Sequence, residues 1–231
     1  MYTGYCSFHC HRDLNPDIIL LLMKICLAME KYGLYDVVLK LRPMPKRLTD
    51  TQYVNELIAA VDRQLTVTDH RHRCLLLNAG HTSDYMYFVG RGLARCFYFD
   101  DHTGRELTSI LWKEQSIVCD PVSFFQRKAS DTNIEVMPGS LLLSISYRQL
   151  QDIFEAFPEA EIFARCISLQ YVFYYSERAR QLAGVSPWER YLHLLSTHPG
   201  IELSVSKEII ASYLNIAPQT LSKMIKERGH P

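Results

Sequence analysis

The segment Ser206–Lys226, "SKEIIASYLNIAPQTLSKMIK", constrains the fold more than any other part of the chain. Two helices that cross steeply through a short turn need a small residue at the crossing and a turn residue that accepts a left-handed backbone. Ala211 suits the crossing, Asn215 suits the turn, and Pro218 suits the first turn of the second helix. Ser206 is a candidate cap for the first helix. The inward-facing apolar set would be Ile210, Leu214, Ile216, Leu221 and Met224. The segment predicts a helix-turn-helix.

The outward face of the second predicted helix carries polar side chains that suit a nucleic-acid interface. Gln219 can pair bidentately with an adenine, and Lys223 can contact a guanine or a phosphate. Lys207 and Lys226 would neutralise backbone phosphates. The predicted DNA-contacting set is Ser206, Lys207, Gln219, Thr220, Ser222, Lys223 and Lys226. The predicted structural set is Ala211, Asn215, Ile216, Pro218 and Leu221.

Charge limits any such interface to a local patch. The whole chain has 25 basic and 25 acidic residues, so its net charge is zero. From Leu203 to Pro231, four Lys and Arg residues face two Glu residues, so this region alone is positive. The alternative, a helical hairpin with an ordinary polar surface, stays open at this point.

Between Cys74 and Ser146 the chain reads as short strands. Apolar and aromatic runs such as "YMYFVG", "LARCFYF" and "LLLSIS" alternate with turn signals such as "NAG", "GRG" and "PGS". In Phe97–Glu106, Gly104 supplies the backbone freedom of a tight hairpin. This pattern predicts an antiparallel sandwich or barrel, within an α+β fold.

Helical periodicity flanks the strands. Apolar residues recur at helical intervals in Tyr53–Leu65 and again after Ser146. Pro158 is suited to open a long helix, and the residues after it form a heptad-like stripe beside a second apolar row. One row would pack on the barrel and the other on a partner chain, although a helix that packs only on its own barrel is the alternative. The predicted dimerisation residues are Ile162, Phe163, Cys166, Leu169 and Phe173.

The first fifty residues are the least informative. Ile18–Met29 is apolar but interrupted by Lys24, and at about a dozen residues it falls short of the ~20 that span a bilayer, so no membrane association is expected. No signal peptide is recognisable, and the scattered cysteines are typical of a reducing cytoplasm. Cys6 and Cys10, in "CSFHCH", would suit a soft metal, but an incidental run is the favoured interpretation, and no metal site is predicted. Whether the natural protein includes these residues stays open.

These features together resemble the Crp/Fnr superfamily of bacterial transcriptional regulators. The carriers are "LLLNAGHTSDYMYFVGRGLARCFYFDDHTGRELTSILWKEQSIV", "SPWERYLHLLSTHPGI" and "VSKEIIASYLNIAPQTLSKMIK". The resemblance implies a jelly-roll-like β-roll (a double-stranded β-helix) at 51–156 as a cyclic-nucleotide-binding-like sensor domain. It also implies a dimerisation helix at 157–184 and a helix-turn-helix domain at 185–231, after an uncertain extension at 1–50. Gln219 and Lys223 would occupy the family's base-reading positions.

The resemblance also implies partners. We expect a homodimer on a pseudo-palindromic operator in double-stranded DNA, with RNA polymerase and a small-molecule effector as further partners. The family's cyclic-nucleotide cassette is altered here, in "IVCDPVSFFQRKASDTN": Asp120 replaces a glutamate, Pro121 changes the loop, and Lys128 stands where an arginine is usual. These departures argue against cyclic AMP, and no cofactor is predicted. The effector and its binding residues remain unidentified.

The expected function is therefore a cytoplasmic, sequence-specific DNA-binding regulator. No catalytic motif is recognisable, so an enzyme is not expected. The family usually follows its recognition helix with a winged hairpin, whereas only five residues follow Lys226. The alternative is a small-molecule or cyclic-nucleotide sensor without functional DNA binding. An AraC-type regulator ranks lower, because only one helix-turn-helix is visible.

Overall fold

The computed structural model describes residues 45–229. The predictions for Cys6, Cys10 and the segment Ile18–Met29 lie outside the described residues, as does most of the predicted extension.

The described part of the chain begins with helices, continues mainly as strands and ends with helices. The strands are β1 (Thr66–His70), β2 (Cys74–Leu77), β3 (Tyr85–Arg91), β4 (Ala94–Phe99), β5 (Glu106–Trp112), β6 (Ile117–Val118), β7 (Asn133–Val136) and β8 (Ser140–Ser146). The α-helices are α1 (Thr51–Gln64), α2 (Pro121–Gln126), α3 (Tyr147–Ala156), α4 (Glu161–Gly184), α5 (Pro187–Thr197), α6 (Ile201–Ser204), α7 (Lys207–Tyr213) and α8 (Pro218–Arg228). Short 3₁₀ helices lie at Lys46–Thr49 and Pro158–Ala160.

The strands form two four-stranded sheets, ordered β1-β8-β3-β6 and β2-β7-β4-β5, in which every pairing is antiparallel. Val89 lies opposite Leu142 in the first sheet, and Ala94 lies opposite Val136 in the second. All four are fully buried, because their side chains fill the space between the sheets. The expected α+β fold with an antiparallel roll is confirmed.

Two glycines make the roll's turns possible. Gly104 has φ +65° in the β4–β5 hairpin, and its N–H donates to the Asp100 carbonyl at 2.8 Å. Gly92, between β3 and β4, has φ +92°, and a Cβ there would lie 2.2 Å from Ser140 Oγ. That hydroxyl donates to the Leu93 carbonyl, so the close approach joins the hairpin to β8.

The sequence interpretation missed three short elements. Strand β1 was not predicted, because the expected strands begin at Cys74; it pairs along its whole length with β8. Strand β6 and helix α2 were also missed. All three are short and lack a clean apolar period, because their partners in the sheet or core determine their structure.

Helix α4 divides into two parts of different character. Ile162, Phe163 and Cys166 are buried in the roll's own core, so a partner chain cannot contact them while the protomer keeps this packing. This corrects the predicted dimerisation set for these three residues. Leu169 is half-buried and Phe173 is exposed, and for these two the dimerisation role stays a prediction. None of the helices within residues 45–229 combines the length and hydrophobicity that crossing a bilayer requires.

Candidate nucleic-acid interface

The turn between α7 and α8 has the geometry that its residues predict. Ser206 Oγ accepts from the Ile209 N–H at 3.5 Å and so caps α7. Asn215 adopts φ +52°, in the left-handed region, and the following N–H, of Ile216, donates back to the Ala211 carbonyl at 3.0 Å. Pro218 then opens α8 at its first turn. The two helices and their turn form the predicted helix-turn-helix.

The helix-turn-helix is held together by its own apolar core. Ala211 and Leu214 are fully buried and Leu221 is 1% exposed, whereas Ile216 and Met224 are half-buried against them. A small residue is needed at Ala211 because α7 meets both α8 and the roll there. The same core continues into the roll through the buried residues Leu93, Leu111 and Met137. Its remaining buried members lie in helices α5, α6 and α7: Tyr191, Leu194, Ile201, Ile209, Ile210 and Tyr213.

Every predicted DNA-contacting residue is exposed. The set comprises Ser206, Lys207, Gln219, Thr220, Ser222, Lys223 and Lys226. Five of these lie on α8, and its Lys223 Nζ lies 3.8 Å from Glu227 Oε1. Both groups of that pair are solvated, so the pair is weak and Lys223 can reach a phosphate or a base.

The amino end of α8 also suits an anion. Its N-cap residue is Ala217, which has no side-chain acceptor, so the first-turn amides receive no side-chain cap. Uncapped amides and the positive end of the helix dipole favour a phosphate at this position. At the other end, the Arg228 guanidinium lies over the Trp188 ring at 5.4 Å from its centroid. With Lys223, Lys226 and Arg228 against Glu227, the polar face of α8 carries a net positive charge.

Helix α7 is docked on the roll. Ser212 Oγ donates to the Glu106 carbonyl at 2.8 Å and accepts from the Thr108 N–H at 2.7 Å. Strand β5 lies at the edge of its sheet, so this hydroxyl occupies backbone groups that no neighbouring strand pairs. Nearby, Lys113 Nζ donates to the Thr197 carbonyl at 2.7 Å. These contacts fix how the helix-turn-helix sits against the roll.

Two buried arginines join α4 and α5 to the end of α7. Arg178 donates to the Tyr213 carbonyl and stacks over that tyrosine's ring at 4.0 Å from its centroid. Arg190 Nη2 donates to the Leu214 carbonyl at 2.8 Å. The structure shows neither guanidinium paired with a carboxylate among residues 45–229. Burial, followed by the charge of Arg178, lowers the pKa of Arg190. Sequence reasoning missed this pair, although a charged residue in an apolar helical row is a usable signal.

A third buried arginine lies within the roll. Arg95 on β4 is completely buried; it pairs with Glu135 on β7, and its Nη1 lies 2.6 Å from Glu106 Oε1 on β5. Arg95 Nη1 also donates to Thr108 Oγ1 at 3.0 Å. Because Glu106 and Thr108 are the residues whose backbone Ser212 contacts, this cluster braces the strand on which α7 docks.

The altered cyclic-nucleotide cassette has a structural role. Asp120 Oδ1 accepts from the Val122 and Ser123 amides at 3.0 and 3.1 Å and so caps α2, and Oδ2 accepts from Ser130 Oγ at 2.7 Å. Lys128 and Ala129 are exposed. Both oxygens of the Asp120 carboxylate are therefore used within the protein.

Metal ligands do not converge in the part of the chain that the structure describes: no three His, Cys, Asp or Glu side chains are grouped to hold an ion. Burial raises the pKa of the Cys96 thiol and raises that of Cys119 to about 12. Both thiols are therefore protonated at neutral pH and behave as small apolar groups.

A β-roll joined by a long helix to a helix-turn-helix is an architecture shared with solved structures. One is the c-di-GMP-responsive global regulator CLP from Xanthomonas campestris, with 20% identity, a TM-score of 0.60, and coverage of 75% of this chain and 90% of that chain. Another is FixK2 from Bradyrhizobium japonicum, with 13% identity, a TM-score of 0.59, and coverage of 71% and 86%. A third, from Eubacterium rectale, is assigned to transcriptional regulators of the crp/fnr family, with 16% identity, a TM-score of 0.58, and coverage of 74% and 82%.

These similarities show that the chain has the fold of the Crp/Fnr transcriptional regulators. No protein-family model matches the sequence, and no curated protein sequence matches it at a significant level. At identities of 20% or less, the likeness concerns the fold.

Proposed function

We propose that this protein is a homodimeric, sequence-specific DNA-binding transcriptional regulator whose β-roll senses an effector other than cyclic AMP. The proposal rests on how the residues of the helix-turn-helix are distributed between its interior and its surface. The residues that build the motif are buried or lie in the turn, whereas all seven residues expected to contact DNA are exposed. The exposed face is also net positive, with Lys223, Lys226 and Arg228 against Glu227, and a positive face favours a nucleic-acid partner over an ordinary polar surface.

The residues of the interface have distinct roles in the proposal. Gln219 and Lys223 lie one helical turn apart on α8, so both reach the same stretch of major groove. Gln219 reads an adenine, whereas Lys223 contacts a guanine or a phosphate without the two-pronged grip of an arginine. Lys207 and Lys226 contribute phosphate contacts, which give affinity but no sequence preference.

Dimerisation would use the second half of α4. Val172 and Phe173 are 57% and 37% exposed, and Tyr175 and Leu182 are exposed further along the helix. Val172 and Phe173 lie one turn after Leu169 and continue its row, so two copies of α4 can bury an apolar seam between them. Tyr175 and Leu182 lie two turns apart on a neighbouring side of the helix. A two-fold dimer places its recognition helices about 34–36 Å apart, which predicts a pseudo-palindromic operator.

The remaining parts of the proposal concern the setting. The protein acts in the cytoplasm, where RNA polymerase is its further partner, and it carries out no catalysis. The support is the family resemblance together with the absence of a catalytic motif in the sequence.

The test is selection from random oligonucleotides with the purified dimer, followed by affinity measurements on the selected site. Gln219→Ala and Lys223→Ala should each weaken the selected site by about 1–3 kcal/mol relative to a mismatched site. Their melting temperatures should stay unchanged, because both side chains are exposed. Gln126→Ala and Lys46→Ala, exposed residues of the same types on the sensor side, serve as matched controls.

Two outcomes would contradict the proposal. One is selection that yields only sequence-independent, salt-sensitive association. The other is a selected site whose affinity the two α8 substitutions leave unchanged. Either result would favour a sensor that does not read DNA.

A further inference from the structure

A cavity of about 90 Å³ lies between the sheet β1-β8-β3-β6 and the helices that cover its outer face. Met86 lies opposite Ile145 across β3 and β8, and Phe88 lies opposite Leu143, so these four side chains share the outer face. Helices α1, α3 and the start of α4 complete the wall, with a contribution from α2. The cavity is therefore separate from the space between the two sheets.

The chemistry of the lining restricts what can enter. The lining is formed by aliphatic and aromatic side chains and the Met86 thioether. Tyr87 lies between Met86 and Phe88 in β3, so its side chain points to the opposite face of the sheet and its hydroxyl adds no polar group to the cavity. An ion, a sugar or a nucleotide would lose its hydration here without gaining partners, so the lining admits an uncharged apolar molecule.

The size of the cavity sets an upper limit on the ligand. An apolar cavity of about 150 Å³ accepts benzene, which has six heavy atoms, so on the same scale this smaller cavity suits a molecule of at most about four heavy atoms. Two alanines, Ala160 and Ala164, line the wall one turn apart among otherwise large side chains. A larger residue at either position would fill the void, and close packing is the ordinary state of a core.

The wall of the cavity is connected through helix α4 to the helix-turn-helix. Helix α1 is held over the cavity at one end by Tyr53, whose hydroxyl donates to Glu159 Oε2 at 2.5 Å. At its other end, Gln149 Nε2 donates to the Gln64 carbonyl at 3.0 Å. Helix α4 lines the cavity through Ala164 and its neighbours and then continues to Gly184. Fourteen residues after Ala164, Arg178 of the same helix contacts the end of α7.

We infer that this cavity is the sensor's ligand site and that it takes a small, uncharged, apolar molecule. The ligand fills the space beside Ala160 and Ala164 and so displaces the first half of α4, which carries the change to the helix-turn-helix. The regulatory part of this inference rests on the proposed DNA-binding function, whereas the binding part stands independently of it.

The experiment titrates xenon, as an uncharged apolar probe of a single atom, into the full-length protein with labelled Ile methyl groups. We expect saturable NMR shifts at Ile153 and Ile167, which line the cavity, and a rise in melting temperature. Ala164→Leu should fill the void and weaken xenon binding at least about tenfold. Ala183→Leu, the same change at an exposed position of α4, should leave binding unchanged. Ala160→Val is a smaller filling variant in case Ala164→Leu does not fold, as judged by circular dichroism.

Each result decides between the alternatives. Absence of saturable shifts, or unchanged binding in a folded filling variant, would overturn the site. Overhauser contacts between Ile153 and the methyl groups of residues 18–29 would show that the chain's own segment occupies the cavity, which also overturns it. If xenon binds but DNA affinity changes less than about fivefold, the lower end of ordinary coupling, the effector role fails and the DNA-binding function stands. If xenon binds and the protein reads no DNA, the ligand site stands and the proposed function fails.

Discussion

Helices α7 and α8 belong to one motif, yet they differ in burial: α7 is mostly buried, whereas α8 is mostly exposed. Of the seven residues of α7, four are buried: Ile209, Ile210, Ala211 and Tyr213. Of the eleven residues of α8, one is buried, Leu221. The difference arises because α7 is packed between α8 and strand β5, whereas α8 contacts the rest of the protein along one stripe.

This comparison separates stability from recognition. Substitutions in α7 and in the residues that hold it should change the free energy of unfolding and the docking of the motif on the sensor. Substitutions on the polar face of α8 should change DNA affinity alone. Four predictions test this division, in order of decreasing expected effect.

The largest effect is expected at Leu214, which is fully buried at the end of α7. Leu214→Ala should lower the free energy of unfolding of the helix-turn-helix by about 2–5 kcal/mol, because it removes buried methyl groups and leaves a cavity. Chemical denaturation measures it. Leu203→Ala is the matched control, since Leu203 is 95% exposed and its loss should leave stability unchanged. Equal effects of the two substitutions would contradict the division.

The next effect concerns the buried arginines. Arg190→Leu removes the hydrogen bonds that the guanidinium donates to the Leu214 and Val185 carbonyls. It should lower the free energy of unfolding by about 1.5–3 kcal/mol, the range for hydrogen bonds that involve a charged group. The loss should appear in denaturation and as increased hydrogen exchange at the α7–β5 contact. Arg180→Leu, an exposed arginine on α4, should change stability by less than about 0.5 kcal/mol. A neutral Arg190→Leu variant would show that the contact does not hold α7.

A smaller effect is expected at the turn. Asn215→Ala should cost about 1 kcal/mol, because a residue with a Cβ is strained at φ +52° and alanine lacks the polar side chain that makes asparagine tolerant. Asn215→Gly should restore or exceed the original stability, since glycine adopts this conformation without strain. Thermal melting of the three proteins measures both changes. If glycine proves as damaging as alanine, the side chain rather than the backbone matters at this turn.

The smallest effect is a pH dependence at His198. Its Nε2 donates to the Leu111 carbonyl at 3.2 Å, and burial lowers its pKa below the ordinary 6.5, with Lys113 and His193 contributing positive charge. Because the folded state binds its proton less readily than the unfolded state, this histidine destabilises the fold increasingly as the pH falls below 6.5. His198→Gln keeps a donor that does not titrate. The stability of the wild type relative to this variant should fall between pH 7.5 and 5.5, and a constant difference would contradict the expectation.

The elements predicted correctly from sequence are those with a local signal. Asn215 and Pro218 have backbone preferences that mark a turn and a helix start, and both occupy those positions. Gly104 marks a hairpin for the same reason, and the alternating apolar runs around it are strands β4 and β5. Each of these conclusions depends on one residue's allowed φ or on a short period, so neighbours in sequence were enough.

Predictions about which surface faces which neighbour had a weaker basis. The sequence pattern predicts that a partner chain contacts Ile162, Phe163 and Cys166, but the roll of the same chain covers them. A helical period shows that a face is apolar, and it does not show whether the same chain or another one covers it. Strand β1 was missed for a related reason: its structure depends on its pairing with β8, about seventy residues away in the chain.

The sequence alone thus determined the antiparallel roll, the long helix and the helix-turn-helix, together with the residues exposed on α8, because backbone preferences and apolar periods are properties of local segments. Only the tertiary structure decided that α7 docks on β5, that Arg178 and Arg190 hold the end of α7, and that an apolar cavity lies beside Ala160 and Ala164. Those features arise where segments distant in the chain meet, and their energies depend on shape and burial that no local pattern encodes.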